Sequence, residues 1–138
     1  MSLVEQNKAI LNRYMTAVNN HTVMDVLDLF ADNFTDSSAP PGMPSGKEGF
    51  LAAHQVLETA FPDVRFTIDK VIAEGDKIGV VATGSGTNAG PFFGIPATGK
   101  TVTWWGVRLL RIENGKIAEA WGVFDQMGIL QQMGVIPP

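Results

Sequence analysis

Apolar positions recur every three to four residues at the start of the chain. Leu3, Asn7, Ile10, Tyr14 and Val18 define one stripe, which Leu11 and Ala17 widen. This is the spacing of an amphipathic helix with one buried face, and Asn19-Asn20 marks its end. Thr22 and Asp25 then resemble a capping box, and Val23, Val26, Leu27 and Phe30 supply a second stripe, which predicts a short second helix. From Asp36 to Gly46 the run Ser37-Ser38-Ala39-Pro40-Pro41-Gly42-Met43-Pro44 cannot continue a helix, because proline fixes φ and removes a donor, so a loop is expected. Ser45 and Glu48 form a better capping box ahead of Phe50, Leu51, His54, Leu57 and Phe61, a third helix ending near Phe61-Pro62-Asp63.

Beyond Pro62 the period changes from helical spacing to alternation. Phe66 to Ile72, Ile78 to Thr87, Thr101 to Ile112 and Ile117 to Asp125 read as strands. Glu74-Gly75-Asp76 and Glu113-Asn114-Gly115 supply the turns. Met127 to Met133 forms a short terminal helix. Gly79, Gly84, Gly86, Gly106 and Gly122 fall inside strands, where glycine marks bends and close backbone approach, so the sheet should curve strongly. Three helices followed by a meander give an α+β fold, with helices on one face of a curved antiparallel sheet that encloses a pocket. At 138 residues, without an interdomain linker, residues 1–138 make one domain.

Composition narrows the choice of partner. Apolar residues make up 45% and charged residues 17%, so disorder is excluded. Ten Lys and Arg face 14 Asp and Glu without a basic cluster, which argues against nucleic acid and anionic membranes and favours a small apolar ligand. There is no cysteine, which removes thiol nucleophiles and thiolate metal sites. The two histidines, His21 and His54, lack metal-ligand spacing. Met1 to Ile10 lacks the apolar stretch of a signal peptide and no segment approaches membrane-spanning length, so a cytoplasmic location is expected.

The closing strand carries the first candidate chemistry. Residues two and four apart share a strand face, so Glu119, Trp121, Val123 and Asp125 should project together. A carboxylate beside an indole and a valine is a candidate half-buried acid, since burial raises a carboxyl pKa towards the range of a general acid or base. The competing reading of Asp125 is a cap for the terminal helix.

The order of elements, with several short motifs, resembles the SnoaL-like polyketide cyclases of the nuclear-transport-factor-2-like superfamily. The motifs are Phe61-Pro62-Asp63, Glu74-Gly75-Asp76, Gly86-Thr87 leading to Gly94-Ile95-Pro96-Ala97-Thr98-Gly99-Lys100, Arg111 with Asn114-Gly115-Lys116-Ile117, then Glu119, Trp121, Asp125 and Gln132-Met133-Gly134. The resemblance implies a cone-shaped α+β fold, a homodimer, and a cavity between sheet and helices. It also implies an aspartate at Asp125 acting as acid and base in an aldol closure, without metal or cofactor. The chain departs from the family at Asn88, where histidine is common, and between Gly106 and Arg111, which lacks histidine. A non-catalytic binding protein with the same pocket is a second reading.

Other residues join the candidate site. Arg108 alternates with Trp104, Gly106 and Leu110 in an otherwise apolar strand, so an inward guanidinium would need a carboxylate such as Asp125 or Glu119. An Arg108-Asp125 pair would resemble epoxide hydrolases of the superfamily, whose pattern requires aspartate where Leu110 stands. His54 lies on an apolar helical stripe, where it either packs in the core or titrates in a cavity. Tyr14, in a stretch that resembles ketosteroid isomerases, is a core residue or a pocket donor. The isomerase base position falls on Ser38. Trp104 and Trp121 are expected as core or pocket walls. Phe93, within Gly90-Pro91-Phe92-Phe93-Gly94-Ile95-Pro96, is placed at a cavity entrance or a dimer contact.

Overall fold

The computed structural model describes residues 1–39 and 41–138; Pro40 of the expected proline loop lies outside them. Helix α1 spans Leu3–Asn20. It begins with a capping box that the periodicity did not single out: Ser2 Oγ accepts from Glu5 N (3.1 Å), and Glu5 Oε2 accepts from Ser2 N (3.2 Å). These bonds satisfy two of the donors that a helix N-terminus leaves free.

The expected second helix is the main correction. Val23–Leu29 is a 3-10 segment broken at Val26, whose φ of −122° is not helical, and Thr22 provides no side-chain cap. The chain then enters strand β1, Phe30–Asp36, an unexpected strand whose first residue falls in the expected helical stripe and whose last opens the expected loop. Phe30, Phe34 and Asp36 are buried along it. Helix α2 spans Lys47–Ala60 with Gly46 as N-cap and no side-chain cap, so the Ser45/Glu48 box does not form. Ser45 instead accepts a backbone hydrogen bond from Asp36 N (2.6 Å), tying the loop to the end of β1.

Strands β2 (Arg65–Glu74), β3 (Lys77–Thr87), β4 (Thr101–Glu113) and β5 (Lys116–Phe124) follow the predicted alternation to within a few residues, and α3 (Gln126–Met133) closes the fold. The sheet order is β1-β5-β4-β3-β2. The four later strands pair antiparallel, whereas β1 pairs parallel to β5 with a register shift between Phe30 and Thr35, so the sheet is mixed at one edge. A parallel neighbour requires a long crossover, which here is the whole α2–β4 excursion. Among the described residues no helix is long and apolar enough to cross a membrane.

The helices cover one sheet face, and two apolar clusters fill the space between. In one, Leu11, Tyr14, Val18, Phe30, Phe34 and Phe50 pack on Ile78, Leu110 and Ile117. In the other, Phe61, Val64 and Phe92 pack on Val102 and Trp104 with Ile129 and Met133 of α3. Along β4 the inward positions are Val102, Trp104, Gly106, Arg108, Leu110 and Ile112. The register therefore turns Arg108 toward the helices.

Candidate active site

A cavity of about 200 Å³ opens where the two clusters meet. Its walls are mostly apolar and include Phe50, Phe66, Val80, Phe92, Trp104 and Phe124, and its polar groups are Asp36, Ser38, His54 and Arg108. His54 and Arg108, both candidates from the sequence, line this space.

Arg108 is the unusual member. Among the described residues its Nη1 is buried without a hydrogen-bond partner, and its guanidinium lies 5.1 Å from the centre of the Phe50 ring. Among the described residues it makes no ion pair, with Asp125, Glu119 or any other carboxylate. Stacking on an aromatic face is favourable for guanidinium but leaves its in-plane donors free. A glycine makes the room: a Cβ on Gly122, directly across the strand pair, would sit 3.1 Å from the guanidinium carbon. A buried donor without a partner costs about 1–3 kcal/mol, more when charged, unless something fills it.

His54 Nε2 and the Tyr14 hydroxyl are 2.9 Å apart. Burial pushes the His54 imidazole down to about 4, the nearby Arg108 charge adding to this and Asp36 opposing it. Burial likewise raises Tyr14 to about 12. Both groups are therefore neutral at pH 7. Tyr14 donates to Nε2 in one tautomer of the pair, and Nδ1 then carries the proton as a neutral donor. Tyr14 reaches the cavity only through His54.

Asp36 was not singled out in the sequence. It is buried at the end of β1, where its Oδ1 accepts from Ser38 N (3.0 Å) and Ser38 Oγ (2.8 Å). The Ser38 hydroxyl is in turn an acceptor for Gly122 N (2.8 Å), which ties the carboxylate to β5 beneath Arg108. The available signal was the even spacing of Phe30, Phe34 and Asp36, which the helical reading of Phe30 obscured.

Asp125 is placed differently. It follows the last residue of β5, where its N–H donates to Trp105 O (3.0 Å) and its Oδ1 accepts from Gly128 N (3.0 Å), making it the N-cap of α3. It is not among the cavity-lining residues, although its neighbour Phe124 is. Trp121 stands opposite Leu109 on the outer face of the sheet, away from the cavity, while Trp104 is on the inner face and Phe93 is at the rim. Glu119 also faces outward, where it receives Ser37 Oγ (2.7 Å) and Arg111 Nε (3.4 Å). Leu110 is fully buried in the core, so no carboxylate stands two residues beyond Arg108.

Asn88 has a structural task. Its Oδ1 accepts from Thr98 N and Thr98 Oγ1 (both 2.8 Å) and its Nδ2 donates to Gly90 O (2.9 Å), which holds together the loop between β3 and β4.

Helices over one face of a five-stranded sheet, with a small apolar cavity and a few convergent polar groups, define a small-molecule binding fold of the nuclear-transport-factor-2-like class. The sequence profile of the SnoaL-like polyketide cyclases matches residues 8–133, and the chain belongs to that family. Among solved structures it is similar to AclR of Streptomyces galilaeus, provisionally assigned as a hydroxylase (25% identity, 99% of this chain and 85% of that one, TM-score 0.88). It is also similar to TsrD of Streptomyces laurentii (26% identity, 96% and 97%, TM-score 0.86). IdmH of Streptomyces antibioticus, provisionally assigned as a polyketide cyclase, is 26% identical over 93% of this chain and 98% of its own (TM-score 0.81). No curated protein sequence matches the chain.

Proposed function

We propose that the protein is a cofactor-independent enzyme of the cyclase or isomerase type, which removes a proton beside the carbonyl group of a small, largely apolar compound. The observation that carries this reading is the buried Nη1 of Arg108, without a partner among the described residues, in an apolar cavity that also contains a carboxylate. A carbonyl oxygen received by Arg108 gains a charged donor, which stabilises it most as it becomes an enolate oxygen. His54 adds a neutral donor through Nδ1. Asp36 takes the proton and returns it, so the acid/base task moves from Asp125 to Asp36. Family membership and the cyclase assignment of IdmH support acid/base chemistry on carbonyl compounds.

The test is deuterium exchange at the carbon between the carbonyls of benzoylacetone, followed by NMR. Asp36→Asn should slow exchange by about 10²–10⁴-fold, the usual worth of a general base. Arg108→Gln should slow it by about 10²–10³-fold, as loss of an oxyanion donor does. Asp125→Asn, which retains a capping oxygen, should exchange at the parent rate. Undiminished exchange in Asp36→Asn sinks the assignment, and binding without exchange in the parent protein favours the non-catalytic reading.

The same proposal includes a homodimer formed through the outer face of the sheet. Trp105 and Leu109 leave 53% and 36% of their surfaces exposed there, beside Val107 and Val123, which are 40% and 66% exposed and also border the cavity. An apolar patch of this kind is an association surface. Light scattering should give twice the chain mass, and Trp105→Glu should reduce it to the chain mass; a monomeric parent protein refutes the dimer.

A further inference from the structure

The loop between β3 and β4 contains a tight turn at the cavity rim. Phe92 and Ile95 exchange both backbone hydrogen bonds (2.9 Å each), and the two residues between them have positive φ: Phe93 at 45° and Gly94 at 80°. The same chain builds this geometry a second time, at Asn114 (52°) and Gly115 (75°) between β4 and β5. Asn-Gly is the pair this turn prefers, because asparagine tolerates the left-handed region and glycine has no Cβ to clash. Phenylalanine has neither advantage, and a bulky residue at positive φ is an outlier that its surroundings must hold in place. The surroundings here do so: Asn88 clamps the loop, and buried Phe92 anchors one side of the turn.

The turn therefore does not explain Phe93, and packing explains it only in part. Its ring meets Phe92 at 4.9 Å between centroids, yet 49% of the residue is exposed. What the position does accomplish is to set an aromatic ring among the lining residues at the mouth of the cavity. The cavity volume is about 200 Å³, part of it open to solvent. An apolar cavity of about 150 Å³ accommodates a benzene molecule, so this space holds one six-membered ring with a short substituent.

We infer that Phe93 is a specificity-determining residue that limits the substrate to a single-ring carbonyl compound or a chain of similar bulk, excluding fused polycyclic ones. The inference rests on the carbonyl-handling reading above. Arg108 takes the oxygen at the inner end, the ring lies among Phe50, Phe66 and Trp104, and any further ring must displace Phe93.

Benzoylacetone, naphthoylacetone and anthroylacetone present the same dicarbonyl on one, two and three fused rings, and calorimetry measures their binding. Apolar area alone would make the largest bind tightest. The parent protein should show the reverse order, with benzoylacetone at least about tenfold tighter than anthroylacetone, a discrimination within reach of one shaped contact. Phe93→Asn, which converts the turn to Asn-Gly, should abolish that preference while the melting temperature stays level or rises. Anthroylacetone bound as tightly as benzoylacetone by the parent protein, an unchanged order in Phe93→Asn, or a fall in its melting temperature would each overturn the inference. Failure of the proposed function reads differently: Arg108→Gln then binds benzoylacetone as the parent does, while the size order persists. Binding of none of the three by the parent overturns both.

Discussion

Acidifying the protein should expose the cost of burying His54. Its imidazole is neutral at pH 7 in the folded chain and mostly neutral in the unfolded one, so it contributes little to pH dependence there. As pH falls below 6.5 the unfolded chain takes up the proton, while the folded chain, with His54 near 4, does not. The unfolded state then binds more protons, and stability falls with pH. The loss begins near pH 6.5, grows toward pH 4 and levels off below it. The gap between 6.5 and about 4, at about 1.36 kcal/mol per pH unit, amounts to about 3 kcal/mol. That is a large part of the 5–15 kcal/mol typical of a domain, on the order of one-third. Urea denaturation of the parent protein and of His54→Gln, at intervals from pH 7.5 to pH 4, measures the difference. Glutamine retains a polar partner for the Tyr14 hydroxyl but does not titrate. Asp63 and Asp76, whose carboxyls are held below the ordinary range by hydrogen bonds from Thr87 and Lys77, also lose stability in acid. They do so at lower pH and equally in both proteins, so they cancel. Parallel stability curves for the two proteins between pH 6.5 and 4 would refute the buried, neutral imidazole and with it the donor role given to Nδ1.

Two further substitutions test how the fold shapes the site. Gly84→Ala would put a Cβ 2.7 Å from the Trp104 ring and 2.8 Å from Phe66, so it should cost about 1–3 kcal/mol by overpacking and push Trp104 into the cavity; benzoylacetone affinity unchanged at parent stability would contradict that packing. Asp125→Ala should lower stability by about 0.5–2 kcal/mol through loss of the α3 cap, and Asp125→Asn should restore it; equal stability of both variants to the parent would remove the capping role.

Local signals were legible where neighbours in sequence decide the geometry. The Asn114-Gly115 turn follows from two residues that accept positive φ, and β2 to β5 follow from alternation, because a hairpin strand needs only its turn and its pattern. The second helix failed for the opposite reason. Val23 to Phe30 has helical spacing, but the seven residues Val23–Leu29, without a side-chain cap, hold a helix weakly, and pairing of Phe30 to Asp36 with β5 outweighs local preference. Asp36 was missed for the same cause, since its burial exists only once a strand from the start of the chain lies beside a strand from its end. Phe93 was legible as a cavity-entrance candidate, yet its left-handed backbone was not, because nothing in Phe-Gly announces a turn that normally takes Asn-Gly.

By itself the sequence determined the α+β class, the family and the presence of an apolar pocket, all of which depend on periodicity, turn chemistry and motif order. It also named Arg108 and His54 as candidates. Tertiary structure decided which way each points. A one-residue change of register would reverse the faces of β4, so only strand pairing could turn Arg108 inward over Phe50 and Trp121 outward. Only chain closure could carry Asp36 to the cavity and leave Asp125 at the cap of α3. Strand faces and long-range pairing are set by packing between distant segments, and the chemistry available to this cavity is decided at that level.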